Sequence, residues 1–337
     1  MLNLPVRARR PALLLAASAA VSACGSGAPV TETGLGIAAP AEQRLIALTD
    51  LDQRVARVGY RLSVANSELC PTVRKSAGWA LHAASQYSTE LRPWAEARFG
   101  LEGDLPGVLA APAGSAATLA GLRRGDLLLS VNGEPLARGV DRREAVFEGV
   151  EANIQTLDLA LARGPVRLGF RRDGTDLTAT LTPQRACGYE VQLDPSDELN
   201  ARADGKRLFI TTAMAGFTAT DDELAIVLGH ELAHHVLGHR DWHEAETRGR
   251  QTQTVPALDG AAGGSERQAD RVGLYLAARA GFDASIAPAF WRRFGEFNWR
   301  VRYPQWNHPS AEARARALEE VQAEISARRA AGQPLVP

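Results

Sequence analysis

The stretch that decides the fold is Asp221-Asp222-Glu223-Leu224-Ala225-Ile226-Val227-Leu228-Gly229-His230-Glu231-Leu232-Ala233-His234-His235-Val236-Leu237-Gly238-His239-Arg240. Three acids open it, where the helix dipole favours negative charge, an apolar run follows, and Gly238 is a stop signal. The pattern predicts a helix over 221–240. On a helix, residues four apart share a face, so the imidazoles of His230 and His234 stand one above the other. Two neutral ring nitrogens at about 2.0–2.1 Å suit a zinc ion. Glu231 follows the first histidine directly. In an H-E-x-x-H arrangement such a glutamate can take a proton from a metal-activated water and pass it to a leaving amine. His235 and His239 repeat the spacing, but Val236 stands where a glutamate would be needed, so they read as supporting or surface groups. His243 reads as a loop residue and the distant His82 as structural.

A catalytic zinc needs a third protein ligand and one open position. No third histidine follows at the short H-x-x-G-x-x-H spacing, so a downstream glutamate is the better candidate. Glu266-Arg267-Gln268-Ala269-Asp270 begins an apolar segment through Val272, Leu274, Tyr275, Leu276 and Ala277, read as a helix opening at Glu266. Glu266 and Asp270 share a face. Glu266 can bind the metal while Asp270 holds a ligating imidazole by its second nitrogen. Alone, Glu266 would read as an ordinary solvated helix-start residue.

These residues carry a resemblance. Asp222-Glu223-Leu224-Ala225 through His239, with Glu266-x-x-Ala269-Asp270-Arg271-x-Gly273, resembles the HtpX-like and CAAX-protease-like zinc metallopeptidase family. Asn200-Ala201-x-Ala203-Asp204-Gly205 and the strand at Ile210 fit as well. The resemblance covers roughly 187–318 and implies Glu266 as third ligand. It also implies that His308, in Asn307-His308-Pro309-Ser310, approaches the site and stabilises an oxyanion. The plainer reading of that stretch puts Pro309 at the first position of a last helix. Many relatives span membranes; this chain shows no spanning segment after its N-terminal apolar stretch, so it resembles the soluble periplasmic branch.

Upstream, from about Arg98, the texture changes to short apolar runs separated by glycine turns. Ala120-Gly121-Leu122-Arg123-Arg124-Gly125-Asp126-Leu127-Leu128-Leu129-Ser130-Val131-Asn132-Gly133 is followed by a strand at 166–171, the turn Asp173-Gly174, and a strand at 177–181. This block resembles a PDZ domain of bacterial HtrA-type proteases. Such domains bind a peptide as an added strand, with loop amides capturing a terminal carboxylate. By position, Phe99-Gly100-Leu101 is expected to be that loop. A PDZ fold serving only as spacer or lid is the alternative.

At the N-terminus, Arg7, Arg9 and Arg10 precede a short apolar stretch ending in Val21-Ser22-Ala23-Cys24. The pattern reads as a signal peptide. It resembles the bacterial lipobox, which implies that Cys24 is diacylated and, with Gly25 after it, sorted to the outer membrane. If Cys24 carries lipid, Cys70 and Cys187 remain in an oxidising compartment, and a Cys70–Cys187 disulfide is expected, two buried free thiols being the alternative. The formal net charge of −1 and aromatic content of 6% supply no basic, aromatic-interleaved surface of the kind nucleic acid needs.

The expected architecture is α+β: a mostly helical zincin-type (minigluzincin) domain with a small sheet, interrupted by the PDZ-like, β-rich block. The expected division is signal peptide 1–23, flexible tether 24–40, N-terminal part of the peptidase domain 41–96, PDZ-like domain 97–183 and peptidase domain 184–330. The expected cofactor is one zinc ion and the expected partners are proteins and peptides, including C-terminal peptides at the PDZ-like block. Strand Leu208–Thr212 is expected to accept substrate along its edge. The runner-up reading is an assembly or chaperone-like factor with a structural zinc.

Overall fold

The computed structural model describes residues 39–139, 145–239, 261–298, 302–303 and 309–337. Cys24, His243 and His308 lie outside the described residues. The chain is α+β, with two cores that share one long helix.

That helix, α1 (Ala41–Ala65), follows from its apolar spacing. Val55, Val58 and Leu62 pack into the core of the peptidase-like unit, while Leu45, nearer its start, packs into the core of the other unit. After α1, strand β1 (Val73–Ser76) pairs antiparallel with β8 (Gln184–Cys187), placing Val73 opposite Cys187. Everything between these strands is an insertion, and the β1–β8 pair is its neck. The Cys70–Cys187 disulfide closes the neck, with Cα atoms 5.5 Å apart and a sequence separation of 117. Cross-linking a loop of that size stabilises by about 4–5 kcal/mol in the chain-entropy description.

The insertion is built on a six-stranded sheet in the order β2-β3-β4-β6-β7, with β5 on β4. Its strands are β2 (Ala80–His82), β3 (Gly107–Ala110), β4 (Leu127–Val131), β5 (Glu134–Pro135), β6 (Val166–Arg172) and β7 (Thr175–Leu181). The helices are α2 (Arg92–Phe99), α3 (Ala116–Leu119) and α4 (Glu148–Arg163). The sheet takes its first strand from ahead of residue 97, and Ala77, Ala84, Leu91 and Ala95 pack into the same core. Phe99-Gly100-Leu101 is not the loop leading into the edge strand. Phe99 ends α2, Gly100 caps it at φ 64°, and Phe99 and Leu101 are buried in the core. The glycine there serves a left-handed helix cap, which only its missing Cβ makes easy. The segment that leads into edge strand β2 is instead formed by residues 77–79.

After the neck, β9 (Glu190–Asp194), β10 (Ala201–Ala203) and β11 (Arg207–Thr211) form a sheet in the order β10-β11-β9, and α5 (Thr212–Phe217) follows. The strand expected to offer its edge is β11, and it lies between the other two, so both its edges are already hydrogen-bonded. Among the described residues, the open edges belong to β9 and β10. Helix α6 (Asp221–Val236) carries the histidines, and α7 (Ala261–Arg279), α8 (Ala287–Phe297) and α9 (Ala311–Ala330) complete this unit. Helix α7 starts five residues before Glu266, which therefore sits in its second turn. The cap of α9 is Ser310, whose hydroxyl accepts from Ala313 N–H; Pro309 precedes the cap rather than occupying the first helical position. Among the described residues no helix is long and apolar enough to cross a membrane.

Candidate metal centre

Helix α6 is fixed at its start. The Thr220 hydroxyl accepts from Glu223 N–H, and the Glu223 carboxylate accepts from Ala219 N–H at 2.6 Å, satisfying donors the first turn leaves orphaned. Asp221 reaches back to Arg54 and Arg57 of α1. Glu223 pairs with Arg293 of α8. The helix ends at Val236, with Leu237 as its cap and Gly238 following at φ 65°.

Helices α6 and α7 cross where two glycines face each other. A Cβ on Gly229 would lie 2.7 Å from the Gly273 carbonyl oxygen, and one on Gly273 would lie 2.7 Å from His230 Cα. This contact brings the acids of α7 under the histidines of α6.

His230 Nε2 and His234 Nε2 are 3.2 Å apart, and Glu266 carboxylate oxygens lie 3.4 Å from the first and 3.5 Å from the second. Ligands about 2.0–2.1 Å from a tetrahedral zinc stand roughly 3.3–3.4 Å from one another. The three donors thus form a triangle of the size one zinc ion requires, and all three residues are largely buried. The donor chemistry, two imidazoles and one carboxylate, fits that metal as well.

Each histidine is oriented through its other ring nitrogen. His230 Nδ1 is 3.0 Å from Asp270 Oδ1 and donates to it, which leaves Nε2 free to point at the centre. For His234 the support is a relay. His239 Nε2 donates to Gln268 Oε1 at 3.1 Å, so its Nδ1 accepts from His234 Nδ1 at 2.9 Å, and His234 Nε2 again keeps its lone pair for the centre. His239 is therefore part of the site's support. His235 is buried elsewhere, stacked on Tyr189 with ring centroids 3.9 Å apart. His82 packs in the core of the insertion, bonded to the Tyr87 hydroxyl.

Arg314, on α9, completes the support. Its guanidinium binds Asp270 through two nitrogens, at 2.8 and 2.5 Å, and lies 3.4 Å above the Trp291 ring. In sequence it follows the Asn307-His308-Pro309-Ser310 motif, which by itself gives it no role, yet a signal exists. The buried residues of α9 include Ala311, Arg314, Ala315, Leu318, Val321 and Ile325, a helical stripe in which one arginine interrupts apolar positions.

The electrostatics follow from this packing. Burial alone would raise the Asp270 carboxyl, but Arg314 and His230 outweigh it and hold the group below the usual carboxylate range. Burial also opposes charge on His230; hydrogen bonding to Asp270 and Glu266 prevails and raises its pKa to about 9. Burial and the adjacent His230 lower His234 to about 3. Glu231, next to His230, is half-buried.

Residues 176–259 match the family model of peptidase family M48, and residues 107–147 match that of the PDZ domain. The chain carries an M48 peptidase domain and a PDZ domain. The M48 domain supports metallopeptidase activity, and the α+β architecture agrees with both matches. The M48 match stops before Glu266 and Asp270, so it is the fold that joins these acids to the histidines of the M48 domain. No curated protein matches the chain.

Proposed function

We propose that this M48 protein is a zinc-dependent endopeptidase that hydrolyses peptide bonds of envelope proteins, unfolded or misassembled ones in particular. The observation that carries this reading is the triangle of His230, His234 and Glu266 donors. Three protein ligands are the number a catalytic zinc uses, leaving one position for water or substrate. When bound, zinc supplies Lewis acidity: it polarises a carbonyl and acidifies water. Glu231 then accepts the proton from the attacking water and delivers it to the leaving amine. Asp270, itself held by Arg314, and His239 orient the two imidazoles with their Nε2 atoms toward the centre, and metal binding would displace any proton on them. By resemblance to its family, His308 donates to the developing oxyanion. Substrate adds in extended form to the open edge of β10, the edge strand of its sheet that packs against α6.

The proposed location is the periplasmic face of the outer membrane, with Cys24 as the lipidated N-terminus. The Cys70–Cys187 disulfide supports an oxidising compartment. The testing experiment is a Glu231→Gln variant assayed on an unfolded substrate. It retains one zinc per chain and loses cleavage. Cleavage at the wild-type rate overturns the mechanism. Mass analysis of the mature N-terminus tests the lipid, and an unmodified Cys24 removes that assignment.

A further inference from the structure

Arg314 is 4% exposed, and its guanidinium is committed at one edge. Nε meets Asp270 Oδ2, a terminal nitrogen meets Oδ1, and the same terminal nitrogen lies 3.2 Å from His230 Nδ1. A two-pronged grip of this kind holds a carboxylate only while guanidinium and carboxylate stay aligned. Bonds along an edge fix position within the plane. They resist a tilt of the plane less firmly, because hydrogen bonds tolerate a broad range of angles before they fail.

The face of the guanidinium is fixed by Trp291 of α8. Arg314 Cζ lies 3.4 Å from the centroid of the Trp291 ring, which is direct stacking contact. The ring is itself wedged in place. It is 5% exposed, it meets Phe290 at 5.5 Å and Phe294 at 5.6 Å between centroids, and it stands edge-on to the His230 ring at 6.2 Å. The arginine therefore rests on a wall that cannot easily turn away.

The polar atom of Trp291 does not explain its place. Nε1 is buried and has no hydrogen-bond partner. An unpaired buried N–H costs stability. What the position uses is the broad, flat, electron-rich face, the feature that suits a desolvated guanidinium.

We propose that Trp291 is a positioning residue for the metal centre. Its ring holds the Arg314 guanidinium in the plane of the Asp270 carboxylate, and Asp270 in turn aims His230 Nε2 at the metal. The path runs from α8 through α9 and α7 to α6, and Trp291 acts on the metal through Arg314. The inference rests on reading His230, His234 and Glu266 as zinc ligands, and it does not require cleavage.

The test measures zinc affinity by chelator competition on the full chain, with denaturant titration of the same variants. Trp291→Leu keeps an apolar side chain and removes the face; affinity is expected to fall about tenfold, as when an outer partner of a metal ligand is loosened. Trp291→Phe discards the unpaired N–H and keeps a face, so it is expected to stay close to wild-type affinity even though its smaller ring lowers stability. Phe290→Leu lies in the same aromatic cluster without a stack on Arg314, and it is expected to lower stability while leaving affinity unchanged. In an Arg314→Met background, Trp291→Leu is expected to cost no further affinity, since both changes act on one path. Wild-type affinity in Trp291→Leu overturns the proposal. So does an equal loss in the leucine and phenylalanine variants, a matching loss in Phe290→Leu, or full additivity with Arg314→Met. A wild-type chain that binds zinc but cleaves no unfolded protein overturns the peptidase reading alone, and the affinity ratios still decide this inference. A wild-type chain that binds no zinc overturns both.

Discussion

Two regions of this molecule take carboxylates partly or wholly out of water, and they treat them in opposite ways. At the metal centre, Asp270 is gripped by Arg314 and His230, and its pKa falls. In the cleft between the two units, half-buried Asp52 has no such partner among the described residues and its pKa rises to about 6. A buried charge with its counter-charge in place fixes a geometry, whereas a desolvated carboxylate without one is disfavoured in its charged form. The first arrangement positions metal-ligating groups, and the second costs the fold stability when Asp52 ionises.

The largest effect is expected from Arg314→Met, which challenges this contrast directly. It strands Asp270 among apolar neighbours, and removing one partner of a buried pair costs about 3–5 kcal/mol. Because Asp270 then orients His230 less firmly, zinc affinity in a chelator competition is expected to fall roughly 10–100-fold. Arg314→Lys is expected to recover part of the stability but not the two-pronged grip. Wild-type affinity in Arg314→Met would show that Asp270 needs no counter-charge.

Next in size is the joint between the regions. Cys70→Ser with Cys187→Ser is expected to lower stability by about 2–5 kcal/mol in denaturant titration, with the zinc content of the folded protein unchanged. An unchanged midpoint would mean that the β1–β8 pair alone holds the neck.

Gly273→Ala probes the helix crossing. Alanine normally improves a helix interior by up to about 1 kcal/mol over glycine. Here its Cβ meets His230 backbone, so a net loss of about 1–3 kcal/mol and a weaker zinc site are expected. A stabilised variant with normal zinc affinity would show that the crossing tolerates the extra methyl group.

The smallest effect belongs to the cleft, and its sign is opposite. Asp52 has a folded pKa above its unfolded value, so its ionisation destabilises the fold. That penalty is full above about pH 6, shrinks between pH 6 and 4, and is absent below. Asp52→Asn is therefore expected to raise the melting temperature by a few degrees at pH 7 and to match wild type at pH 4. A lower melting temperature at pH 7 would reveal a partner for Asp52.

Much of the site is legible in the order of residues alone. The H-E-x-x-H helix follows from its acid-rich start, apolar run and glycine stop, and α6 ends at Val236 as such signals direct. Glu266 is accessible because a zinc site with two histidines demands a third donor. The cysteine pair follows from counting. What stays hidden depends on contacts between distant segments. Nothing in the local pattern of Phe99-Gly100-Leu101 distinguishes a peptide-capturing loop from a helix cap. A strand rich in apolar residues, such as β11, does not announce whether its edges are open. His239 reads as either a supporting or a surface group, and only the reach of Gln268 on α7 decides for support.

The chemistry this protein can perform is written in its sequence. Residue types and short spacings set which donors a helix presents on one face, because helical periodicity is local. How that chemistry is held is decided by tertiary packing. It lays α7 against α6 through Gly229 and Gly273, brings Arg314 onto Asp270 from α9, and sets α1 along the cleft between the units. Such pairings join residues tens to hundreds of positions apart. Their energies come from packing and desolvation, which no window of sequence contains.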